Sequence, residues 1–101
     1  MATDHLTTTS GRRLFLTALD QAVRERGGMS CGIVARSGTP VLHVTNAQAP
    51  HRFTEIGADF IAGAWVFTWA GTGKAIGAAN APTAAADTIA HAVGAPAGIR
   101  P

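Results

Sequence analysis

With 101 residues and a formal net charge of +2, the chain has room for one domain and not for two. A domain of this length buries roughly two-thirds of the surface its unfolded chain exposes, so it can fold without a metal or a disulfide to hold it. Cys31 is the single cysteine, which excludes an internal disulfide and a cysteine-rich zinc site. No apolar run reaches the ~18–20 residues that cross a bilayer. The first ten residues carry no apolar segment of the secretory kind, so a cytoplasmic location without membrane contact is expected.

Residues 1–10 are polar and threonine-rich and are read as a flexible N-terminal tail. Ser10 then caps a helix predicted over 12–26, in which Phe15, Leu19, Ala22 and Val23 recur at helical spacing. Asp20 and Arg24 stand one turn apart as an ion pair on its outer side. Gly27 and Gly28 end it, since glycine enters the left-handed C′ conformation at no steric cost.

Two β-prone runs, 31–36 and 41–46, flank Ser37-Gly38-Thr39-Pro40 and read as a hairpin. A loop of two or four residues centred there sets Ile33 opposite Val44 and Ala35 opposite Leu42, on one face with Cys31. Val34, Arg36, Val41, His43 and Thr45 fall on the other. After a loop at 46–50, strands over 53–61 and 64–70 flank the two-residue turn Ala62-Gly63. This turn pairs Phe60 with Trp65, Ala58 with Phe67, and Ile56 with Trp69, leaving Glu55, Gly57, Asp59, Val66, Thr68 and Ala70 on the opposite face. Both hairpins thus divide into one apolar and one mixed face.

Gly71-Thr72-Gly73 is a turn, and 74–77 a short extended piece. A last helix over 82–93 packs through Ala85, Ala86, Ile89, Ala90 and Val93, and Gly94 with Pro96 stops it. Residues 96–101 are read as a C-terminal tail, and 11–95 as a single domain. The predicted fold is α+β: a two-layer sandwich in which an antiparallel sheet of three or four strands carries an N-terminal and a C-terminal helix on one face, in the order α-β-β-β-β-α.

The chemistry-bearing residues are few. Gly71-Thr72-Gly73-Lys74 lacks the first glycine and the hydroxyl of a phosphate-cradling loop, because Thr68 and Ala75 stand at those positions. Trp65, Phe67 and Trp69 alternate on one strand face with no basic residue among them, so they are assigned to the core and not to a base-stacking platform. Cys31 and His43 lie on opposite faces of their hairpin and do not form a nucleophile–base pair. Glu55 and Asp59 are four residues apart, about 13 Å along an extended strand, too far for a carboxylate dyad. No His, Cys or carboxylate set has metal-ligand spacing. No catalytic residue, metal or cofactor is therefore assigned.

Three segments carry a resemblance. They are Pro40-Val41-Leu42-His43-Val44-Thr45-Asn46 with Ala49-Pro50, then Trp65-Val66-Phe67-Thr68-Trp69 with Ile76-Gly77, then Ala84-Ala85-Ala86-Asp87-Thr88-Ile89-Ala90. In this order the chain resembles a group of small, uncharacterised actinobacterial α+β proteins with the pattern PVLxVxN…AP…WxFxW…IG…AADxIA. The likeness spans about residues 30–93 and implies a common fold; it brings no activity, cofactor or site. The acidic pair that often follows Ile-Gly in that group is missing from Ala78 to Ala81.

Three functional readings remain. The first is a non-catalytic accessory protein, not an enzyme, that binds a cytoplasmic protein partner or itself as a homodimer. Its interface would hold Val34, Arg36, Val41, His43, Glu55, Asp59 and Val66, with Arg36 meeting Glu55 or Asp59 across a two-fold axis. The second is a nucleic-acid-associated regulator using Arg12, Arg13, Arg24 and Arg26 of the first helix. The third is a small enzyme or ligand binder around Cys31 or His43.

Overall fold

The structure is a computed structural model that describes the backbone of residues 2–95 and the side chains of residues 11–95. The chain runs α1 (Ala2–Arg26), β1 (Met29–Arg36), β2 (Thr39–Asn46), β3 (Ala49–Ile61), β4 (Ala64–Trp69), β5 (Ala75–Ala78) and α2 (Pro82–Ala92). The fold is α+β, with five strands in the order β1-β2-β3-β4-β5 and every neighbouring pair antiparallel. The segment expected only as an extended piece after Lys74 is a true fifth strand, so the sheet exceeds the three or four strands expected. Both helices pack on one sheet face and against each other.

Helix α1 begins at Ala2, ahead of the start expected at Arg12, so residues 2–10 continue a helix where a tail was expected. Once a helix is nucleated, each further residue gains a hydrogen bond at little added cost, and no proline precedes Arg12 to stop it. The expected tail at 96–101 lies outside the described residues. Inward from α1, Leu16, Leu19 and Val23 are fully buried, with Phe15 and Ala22 at the margin. Gly11 lets the helix lie close on the sheet: a Cβ there would sit 3.3 Å from Cζ2 of Trp65.

The two hairpins turn through Ser37-Gly38 and Ala62-Gly63, whose four φ angles are 52°, 82°, 51° and 85°. Paired positive φ values are those of a type I′ turn, whose twist matches that of the strands it joins. At Ala62-Gly63 the register is the expected one, with Phe60 opposite Trp65, Ala58 opposite Phe67 and Ile56 opposite Trp69. At Ser37-Gly38 it differs by two residues. Thr39 and Pro40 belong to β2, so Ile33 meets Leu42, Cys31 meets Val44 and Ala35 meets Pro40. An even shift leaves every side chain on its expected face.

Beneath the helices lie Leu42, Val44, Ile56, Ala58 and Phe67, joined by Ala85, Ala86, Ile89, Ala90 and Val93 of the second helix and its end. The two tryptophans are only half-buried, against the expectation of full burial. The alanine-rich face of α2 is too shallow to cover Trp69, which lines an open hollow with Asp87, Thr88, His91 and Ala92. Trp65 is held between Phe15 at 5.4 Å and Phe60 at 5.8 Å between ring centroids.

Asn46 ties the sheet to the end of α2. Its Nδ2 donates to the Val93 carbonyl at 3.1 Å, and its Oδ1 accepts from the backbone N–H groups of Gln48 and Ala49 at 2.9 and 3.1 Å. Asn46 is buried, so removing its side chain strands three groups at once. Asn46→Ala is expected to cost about 2–3 kcal/mol, read as a lower urea midpoint with an unchanged slope.

Candidate functional site

The sheet face away from the helices carries a polar lattice built across three strands. Glu55 of β3 lies directly opposite His43 of β2, and His43 Nδ1 is 2.8 Å from Glu55 Oε2. Arg36 reaches Glu55 from β1, its Nε donating to both carboxylate oxygens at 3.0 and 3.1 Å and its Nη2 to Oε2. To do so it must cross β2 above Val41, which is 6% exposed although no helix covers this face. The Phe53 ring stacks on His43 with centroids 5.2 Å apart and 27° between planes. Phe53 itself is 59% exposed. A groove of about 650 Å³ runs beside these residues, lined by Arg36, Val41, Phe53, Glu55, Ala70 and Gly71.

A second polar group lies toward the β3–β4 turn. Asp59 accepts a hydrogen bond from Thr68 Oγ1 at 2.9 Å and lies 3.6 Å from the guanidinium of Arg12. Glu55 and Asp59 thus serve separate cations, and the ion pair expected between subunits forms inside one chain. Val34 and Val66, the other expected interface residues, are half-buried on the same face.

The four arginines of the first helix do not form one basic patch. Arg12 is turned into the sheet, Arg24 pairs with Asp20 and donates to the Cys31 carbonyl at 3.0 Å, and Arg26 pairs with Asp87 of α2. Arg13 is exposed. Three of the four therefore spend their charge or their donors on the fold.

Cys31 faces α1, its Sγ donating to the Asp20 carbonyl at 3.7 Å, while His43 stands opposite Gly32 on the other face. Burial first, then the nearby Asp20 carboxylate, push the Cys31 thiol up to about 11. It stays protonated at neutral pH and is a poor nucleophile. The Gly71–Lys74 segment is a plain turn: Thr72 and Gly73 both donate to the Trp69 carbonyl, and a strand follows where a phosphate loop needs a helix. Among the described residues, no group of three His, Cys, Asp or Glu side chains is placed to hold a metal ion. No helix among them is long and apolar enough to cross a membrane.

Sequence reasoning missed the His43–Glu55–Arg36 lattice because it fixed no register between the two hairpins. It also gave Phe53 no role beyond opening a strand. Comparison with protein-family models, with curated proteins and with solved structures finds no match.

Two outcomes follow from the titrating groups. Hydrogen bonds from Arg36, then from His43, pull Glu55 down from 4.5 to about 2. Glu55 therefore stabilises the fold in full above pH about 4.5, and that contribution fades as pH falls toward about 2. Thermal unfolding across this window should show a shallower acid loss for Glu55→Gln than for the parent. The effect is small because the Arg36 partner is largely exposed. For Cys31, alkylation by iodoacetamide at neutral pH should run at least tenfold slower than on a free peptide thiol, the gap closing in denaturant.

Proposed function

We propose that this chain is a non-catalytic cytoplasmic interaction protein that associates through the open face of its sheet, most simply with a second copy of itself. The supporting observation is that this face has already paired its charges. Arg36 and Glu55 satisfy one another, and Asp59 is matched by Arg12 and Thr68. A surface whose ions are hydrogen-bonded in place loses less on leaving water than one with free charges, because each ion keeps its partner. Around the pairs stand Phe53, Val34, Val66 and Ile61, with Phe53 and Ile61 exposed. An exposed aromatic ring held rigid by a stacked neighbour is the kind of anchor that dominates protein interfaces.

In a symmetric dimer the same patch faces itself. Contact would then rest on Phe53 and the valines, since the Arg36–Glu55 pair is already closed within each chain. Light scattering of the parent at tens of micromolar should give a dimer, and Val34→Glu combined with Val66→Glu should give a monomer with unchanged circular dichroism. A monomeric parent would exclude the homodimer. A dimer that tolerates both charges would remove this face as the interface.

A further inference from the structure

Strands β2 and β3 part before either ends. Their register runs through His43–Glu55 to Leu42–Ile56 and stops there, although β2 continues back to Thr39 and β3 onward to Ile61. Two more rungs would set Pro40 opposite Ala58. Carbonyls alternate in direction along a strand. Glu55 gives its carbonyl to Ala70 on the β4 side, so that of Ala58, three residues on, points toward β2. The residue that should donate to it is Pro40, which has no N–H.

The bond is made from another element. Arg12 of α1 donates from Nε to the Ala58 carbonyl at 2.8 Å. Its position is fixed on two further sides, by Asp59 Oδ1 at 3.6 Å from Nη2 and by the Trp65 ring, whose centroid is 5.9 Å from Cζ. The gap left between the hairpins has a volume of about 170 Å³ and is lined by Arg12, Thr39, Pro40, Val41, Gly57 and Thr68, among others.

We propose that Arg12 supplies the strand hydrogen bond that Pro40 withholds, so that the two residues act as one clasp holding the hairpins apart and α1 down on the second of them. The arrangement also shields an acceptor on β3 that would otherwise lie open to an incoming strand.

The test is a four-protein cycle of the parent, Arg12→Met, Pro40→Ala and the double variant. Methionine keeps an apolar stem over Trp65 and removes the donor, while alanine restores an N–H at position 40. Arg12→Met should lower Tm in the parent, and the drop should be smaller by roughly 4–8 °C in the Pro40→Ala background, the weight of one hydrogen bond in a domain of this size. The new amide at position 40 should also be protected from hydrogen exchange in the double variant. Equal drops in both backgrounds, or an unprotected amide, would overturn the proposal. Should Arg12→Met alone not fold, recovery of the fold on adding Pro40→Ala supports the clasp, and failure to recover overturns it.

Discussion

Leu42 and Ile56 face each other at the centre of the sheet, and both are fully buried under the helices. Because side chains alternate with a period of two, fixing this one rung fixes the surroundings of every neighbour. One step along, His43 and Glu55 come together on the open face. In the other direction the ladder stops, and Pro40 would stand opposite Ala58 two steps on. The apolar demand for burial at a single rung therefore sets the core, the polar lattice and the split between the hairpins. A slip of one residue would turn either Leu42 or Ile56 out into water and separate His43 from Glu55.

Charge is handled in the same economical way. With six carboxylates against eight basic side chains, the chain could have kept a basic helix for an acidic partner. Instead Asp20, Glu55, Asp59 and Asp87 each meet an arginine within the chain. Exposed pairs of this kind contribute little to stability one by one. They do change the surface, because the aromatic and aliphatic area of the open face then lies between neutralised pairs. The association proposed for this face would accordingly rest on shape more than on field and depend only weakly on salt.

Much of the fold was legible from the residues. The Ala62-Gly63 turn has a length and a conformation that set its register, and the alanine period of α2 marks its buried face. Elsewhere local chemistry misled. Ser37-Gly38 alone makes the first turn, and Thr39-Pro40, which look like loop, are strand, because proline is tolerated where a ladder is ending. The β2–β3 connection is not the loop expected at 46–50, since β3 already begins at Ala49. Asn46 pairs with Ala49 around a two-residue turn, yet the next rung joins Thr45 to Phe53, so Pro50, His51 and Arg52 bulge out on one side. Three extra residues reverse the parity that the turn length alone would give. The relation of Glu55 to His43 follows only from that bulge.

The meander also decides where the chain must search. Each strand pairs with the one just before it, so the sheet is assembled from contacts close in sequence, whose closure costs little entropy. The contacts that reach far along the chain belong mostly to α1, which touches β2, β3 and α2. Loop-closure entropy is thereby concentrated in one docking step. In chain order α1 precedes the sheet and α2, so during synthesis its apolar stripe must wait for α2 before it is fully covered.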